Sequence, residues 1–286
     1  MLLQRNWHFR SCAVTIEPSI ASIGARAARL LDQHPTWTVE AVFDRSFYIR
    51  GADEFICVGE ASIGDGPLNA VLRSGSKLPH LDVGHAVSLG ISTAEVWRVP
   101  AWSTRTYLVA FEQVQHVIQL ALREAPLDSF THAVFSAREP TTALARRAVA
   151  GTRALRNGLK SGNTAKLDEA VSLFLGLGHG LTPSGDDALS GALMMLFALR
   201  KDAQAIILGR CISANMDNAT SALSCAFLRA ACDGEPSAAM HQAITALLVN
   251  APPGDVISPI RAIGQTSGFD MLAGVLLVAG FHSQIL

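Results

Sequence analysis

Residues 184–195 read SGDDALSGALMM, and residues 267–278 read SGFDMLAGVLLV. The pattern Ser-Gly-x-Asp-x-Leu-x-Gly occurs twice, at an offset of 267 − 184 = 83 residues for every matched position, and each copy opens an apolar run of helical length. At 100° per residue, Ser184, Asp187 and Gly191 fall within a ~60° arc of one helix face, as do Ser267, Asp270 and Gly274 of the other. A capping box explains either copy taken alone, with the serine oxygen and the carboxylate each taking an orphan amide. The glycines ask for more, because a glycine inside a helix costs about 0.5–1 kcal/mol relative to alanine. Close approach is the reason they suggest: if Gly191 and Gly274 face each other, two helices pack with backbones near and set both helix starts and both carboxylates beside one small cavity.

Away from these copies the second half keeps the same character. FEQVQHVIQLALREA, TTALARRAVAGTRALRNGL, KLDEAVSLFLGL, AQAIILGRCISANM, TSALSCAFLRAACDG and SAAMHQAITALLV all read as helices, broken mostly by Gly, Pro, Asn or Asp. Between about Thr36 and Arg98 the pattern is different. WTVEAVF, SFYIRG, EFICVGE and AEVWRVP are short runs rich in β-branched and aromatic residues, and read as strands. Ile20 to Leu31, with apolar residues at 20, 23, 27, 30 and 31, has helical spacing. The expected fold is therefore α+β: a β-rich sheet or small barrel over residues 1–108, followed by an α-helical bundle over residues 109–286.

Composition limits the functional classes. Twenty-three Lys+Arg against 24 Asp+Glu give a formal charge of −1, so no basic excess attracts nucleic acid or an anionic membrane. Charged residues make up 16%, below the usual ~25%, which suits a chain with a buried subunit interface. Five cysteines without a Cys-x-x-Cys pair indicate neither a disulfide framework nor a zinc ribbon. MLLQRNWHFR has no apolar targeting core, and the longest apolar runs fall short of the ~20 residues a bilayer needs. The reading is a soluble, cytoplasmic protein. With His179 as the exception, its histidines, including His241 and His282, lack paired metal spacing and read as surface or satisfied core residues.

The first copy follows GLGHGLTP, so Gly176, Gly178, Gly180 and Gly185 surround Thr182, Pro183 and Ser184 at a helix start. Such a loop turns amides toward an anion, and a phosphate or carboxylate suits it. It is neither the Walker pattern, which needs a lysine, nor the dinucleotide GxGxxG after a strand. Asp186 and Asp187 would repel a bare anion. They can cap amides, hold a bound amide or ammonium group, or ligate Mg²⁺ that bridges to the anion.

GLGHGLTPSGDDALSG, followed by NATSALSCAFLRAACDGE and IGQTSGFDMLAG, resembles the signature of the bacterial AllH family, whose namesake is a subunit of oxamate carbamoyltransferase. SIGARAARLL, VEAVFDRSFYI and GDGPLNAVL resemble the family's β-rich amino-terminal part, so the likeness extends over most of the chain. The loop departs from the family pattern at His179, where proline is expected, and the second copy has Phe269 between its glycine and aspartate. The resemblance implies carbamoyl transfer between phosphate and oxalurate or oxamate in purine (allantoin) nitrogen catabolism, beside companion subunits; the residues also allow a non-catalytic assembly or regulatory subunit, or a stand-alone Mg²⁺-dependent phosphate- or carboxylate-binding protein. The resemblance places Gly178, Gly180, Thr182, Ser184 and Gly185 in a first motif, read as an anion site together with the departing residue His179, with Thr220, Ser221 and Ser224 in a second motif and Ser267 and Gly268 in a third. Asp187, Asp270 and Asp186 are the candidate polar anchors or proton carriers. The implied ligands are phosphate, carbamoyl phosphate or an oxamate-like acid; no metal ligand set is evident, and Mg²⁺ is the one cofactor the acid pair suggests.

Overall fold

Alternation along Trp37–Val42 buries Trp37 and Val39 and exposes Thr38 and Glu40, the period of a strand with one face on a core. The computed structural model describes residues 14–16, 20–34, 36–103, 107–136 and 139–283, so Cys12 and the first ten residues read above lie outside the described residues. The chain divides into two compact units. The described residues up to Ile63, with Leu68–Trp97, form the first; Gly64–Pro67 join the residues from Arg98 onward in the second.

The first unit is a curled eight-stranded sheet. In chain order it contains β1 (Val14–Thr15), β2 (Ile20–Gly24), helix α1 (Ala25–Gln33), β3 (Trp37–Val42), β4 (Ser46–Gly51), β5 (Glu54–Gly59), β6 (Asn69–Leu72), β7 (Ala86–Ser88) and β8 (Glu95–Trp97). The spatial order is β1-β7-β3-β4-β5-β6-β2-β8. At its centre β4 and β5 pair antiparallel with Phe47 opposite Val58 and Ile49 opposite Ile56, all four buried. Hydrophobic cross-strand pairs of this kind hold the sheet's register.

One helical expectation is corrected here. Ile20–Gly24 is a strand, paired with β6 and β8, and the helix begins only at Ala25. The pairing of β2 with β6 shifts register between Ile20 and Ser22, and an irregularity of this kind re-aims side chains. Ile20 and Ile23, three apart, are consequently both fully buried. A bulged strand thus reproduced the i, i+3 spacing of a helix, while Ala27 and Leu30 are the buried face of the true one.

The second unit is helical: α2 (Phe111–Glu124), α3 (Phe130–Phe135), α4 (Ala143–Ser161), α5 (Thr164–Phe174), α6 (Ser184–Ala198), α7 (Asp202–Asn215), α8 (Ala222–Cys232), α9 (Ala238–Leu248), α10 (Pro253–Ile260) and α11 (Ser267–Ser283). The α+β order expected from the sequence holds. Helices α3 and α10 add to the expected set. In α6 every residue but Phe197 is buried, and α11 is nearly as enclosed, so the two repeat helices form the centre of this unit. Helices apolar all round belong inside a bundle. On α4, by contrast, Arg146, Arg147, Arg153 and Lys160 are exposed while Leu155 and Leu159 are buried, the solvated basic face its sequence suggests. Among the described residues no helix is long and apolar enough to cross a membrane.

Candidate functional site

The glycine loop leaves α5 and enters α6 under tight backbone constraint. Gly176, Gly178 and Gly180 have φ of 67°, 125° and 93°, a region that side chains with a Cβ rarely occupy. A Cβ on Gly176 would lie 2.2 Å from the Ala219 carbonyl oxygen, and one on Gly185 2.1 Å from that of Phe174. The loop is sewn to the helix start: the Gly185 amide donates to the Leu177 carbonyl at 2.8 Å, and the Asp186 and Asp187 amides donate to Pro183 at 2.9 and 3.2 Å. Three first-turn donors of α6 are therefore spent inside the protein. The donors left for a ligand are the amides of residues 178–182 and of Ser184. His179 and Gly180 are exposed, and Thr182 is half-buried.

Asp186 clasps this loop to α8. Its Oδ1 accepts the Gly176 amide at 2.9 Å, and its Oδ2 accepts the Ser224 hydroxyl at 2.7 Å and that of Thr220. Burial raises its pKa against those hydrogen bonds. Ser221 caps α8 by accepting the Ser224 amide at 3.0 Å and donates to the Leu181 carbonyl. The second motif thus braces the first.

The two repeat copies exchange partners. Gly191 faces the Met271 carbonyl, 1.9 Å from where its Cβ would stand, and Gly274 faces that of Ala188, also at 1.9 Å. Met271 follows Ala188 in the same register as Gly274 follows Gly191, so the contact is reciprocal. Serine and aspartate are exchanged in the same way. Ser184 of α6 acts on Asp270 of α11 and holds its pKa down, while Ser267 of α11, with Thr182, does the same for Asp187 of α6. Thr182 and Ser267 also meet hydroxyl to hydroxyl at 3.1 Å. A capping box within each copy is not what forms: Pro183 is the N-cap of α6, no side chain caps it, and the Ser184 hydroxyl reaches the other helix instead.

Both exchanged carboxylates are buried, Asp187 at 2% exposure and Asp270 at 0%. Asp270 Oδ1 accepts the Phe130 amide at 2.5 Å at the start of α3. Each carboxylate has a buried Oδ2 without a hydrogen-bond partner among the described residues. Asp187 is raised well above the ordinary carboxylate range, first by burial and then by the charges of Asp270 and Asp186. Asp270 is raised by burial, against hydrogen bonds from Phe130, Ser184 and Thr266. An orphaned buried oxygen costs its desolvation and is unusual enough to require a reason.

Most of the residues singled out in the sequence therefore converge on one place. Gly268 serves close packing, with its Cβ position 2.4 Å from the Ile260 carbonyl oxygen. Both oxygens of Asp186 are occupied by protein donors, and among the described residues no group of three His, Cys, Asp or Glu could hold an ion. Sequence reasoning missed Phe130 and Thr266. The first acts through its backbone amide, which leaves no side-chain signal; the second occupies, in the second copy, the position that Pro183 holds in the first.

Fold and site together describe an α+β protein whose helical unit closes two matched Ser–Asp helix starts around unsatisfied carboxylate oxygens. Residues 174–279, the segment that contains every element of this site except Phe130, match the family model described as oxamate carbamoyltransferase subunit AllH. The resemblance drawn from the motifs is borne out over that segment; the strands of the first unit lie outside it. No solved structure matches the chain.

Proposed function

We propose that this chain is a subunit of a carbamoyltransferase that acts with companion subunits on oxamate or a closely related small amide or ureido acid. Carbamoyl phosphate or phosphate is the second substrate, and the setting is cytoplasmic purine (allantoin) nitrogen catabolism. The observation that carries this reading is the pair of buried, unpartnered Oδ2 atoms on Asp187 and Asp270 at adjoining helix starts. An amide N–H of the substrate is the group that would satisfy them. In the synthetic direction the amide nitrogen attacks the carbamoyl carbon, a C–N bond forms, the C–O bond to phosphate breaks, and the nitrogen loses its proton. Asp187 takes that proton in this reading, because burial raises the affinity of its carboxylate for a proton. In this reading the amides of residues 178–182 bind the departing phosphate and the oxygen charge that builds on the carbamoyl group. Asp186 keeps the loop in place.

A non-catalytic assembly role is favoured by one observation: all three carboxylates are at most 2% exposed. An assay decides between the two. With companion subunits present, oxalurate formation from oxamate and carbamoyl phosphate is expected to fall by a factor of about 100 or more in Asp187→Asn, with the complex still assembled. Full activity in that variant would leave the assembly role.

A further inference from the structure

The helical unit has a pocket away from the glycine loop. At the carboxyl ends of α4 and α11 and the first turn of α7, Leu159, Lys160, Lys201, Gln204, Phe281 and His282 line a pocket of about 210 Å³. None of them belongs to the glycine loop or to the Ser–Asp exchange. The volume is below the ~300–1,000 Å³ of pockets that hold drug-sized molecules, so the space suits a small one.

Its polar groups define the ligand. Lys160 and Lys201 are exposed at the pocket and have no carboxylate partner among the described residues; nearby Asp202 pairs with Arg200 at 3.7 Å. Among the described residues no acid lines the pocket. The start of α7 adds to this potential, because its N-cap Lys201 offers no side-chain acceptor to the first-turn amides. Gln204 donates its Nε2 to the Leu159 carbonyl at 2.8 Å, which fixes the amide so that Oε1 is the other atom. That Oε1 is buried and unpartnered, and so is His282 Nε2. Two lysines call for an oxyanion, and a fixed carbonyl oxygen calls for a donor on the same molecule.

We infer that this pocket binds a small oxyanion that carries its own O–H or N–H donor, in the manner of a hydroxy acid or protonated phosphate. Its acid group sits on Lys160 and Lys201, its donor on Gln204 Oε1, and His282 Nε2 completes the contact. The inference goes beyond the carbamoyl-transfer reading and does not rest on it.

The test follows the His282 Cε1–H resonance of the full chain, assigned by its absence in His282→Asn, during titration with glycolate, inorganic phosphate and acetate. A saturable shift with glycolate or phosphate is expected, and the tighter of the two names the carboxylate or the phosphate source. Acetate, which has no donor, should bind several-fold more weakly than glycolate. The Lys160→Gln/Lys201→Gln double variant changes two exposed side chains and should weaken the better anion roughly tenfold or more. The inference is overturned by no saturable shift with either anion, by unchanged affinity in the double variant, or by acetate binding as well as glycolate.

Discussion

Alanine at position 191 is expected to destabilise the protein by about 3 kcal/mol, at the upper end of what overpacking a core usually costs. The new Cβ would stand 1.9 Å from the Met271 carbonyl oxygen. That atom belongs to the helical backbone of α11 and cannot swing aside as a side-chain tip can. The only relief is to part α6 from α11, which disturbs the most enclosed helices of the unit. Gly274→Ala meets the Ala188 carbonyl at the same 1.9 Å and should behave alike. Gly254, in the first turn of α10, supplies the contrast, because nothing lies within 4 Å of its Cβ position. Gly254→Ala should be neutral or stabilising by up to about 1 kcal/mol through lost freedom in the unfolded chain. Urea midpoints of the three variants check the prediction. A cost below about 1 kcal/mol for both Gly191→Ala and Gly274→Ala would mean that the helices do not pack backbone to backbone.

The second large effect concerns Asp187, where function and stability are opposed. Its pKa is raised in the folded protein above the ordinary 3.8, so the folded state holds the proton more tightly than the unfolded state does. The stability contributed by that proton is fully present below pH 3.8 and is lost as pH rises through the folded value. Above the folded pKa of Asp187 the protein carries the cost of a buried charge beside Asp270 and Asp186. Asp187→Asn keeps an oxygen for the Ser267 and Thr182 hydroxyls and removes that charge. It leaves an unpaired amide N–H where the orphan Oδ2 stood, and a neutral orphan costs less than an ionised one. The variant should melt above the wild type once the pH exceeds the folded pKa of Asp187, and the gap should close as pH falls toward 3.8. A variant less stable than wild type at every pH would show that the carboxylate contributes to the fold. Stability forgone at a site is the usual sign of a group kept for its chemistry.

Much of this arrangement is legible in the sequence. The offset of the two Ser-Gly-x-Asp-x-Leu-x-Gly copies pointed to two packed helices, and the interior glycines pointed to their close contact, because a glycine in a helix must be offset by something. What one copy could not show is the exchange. Ser184 and Asp187 are spaced as a capping box, and only the crossing of α6 with α11 sends the serine to Asp270 and brings Ser267 to Asp187. The second motif was legible as hydroxyl residues, but not their convergence on Asp186, which depends on α8 packing against α6. In the sheet, Ile20 and Ile23 misled because the irregular pairing of β2 changes which residues point inward. Strands β6 and β7 are only four and three residues long, too short for periodicity to mark. His282, read as a surface or satisfied core residue, instead has a buried ring nitrogen without a partner.

The decisive measurement is a calorimetric titration of the purified chain with carbamoyl phosphate and with oxamate, in wild type and in Asp187→Asn. Saturable binding to the wild type, lost or weakened by a factor of about 100 in a variant that folds and melts at least as high, is the predicted result. Equal affinity in the two proteins would contradict a ligand site at the paired carboxylates.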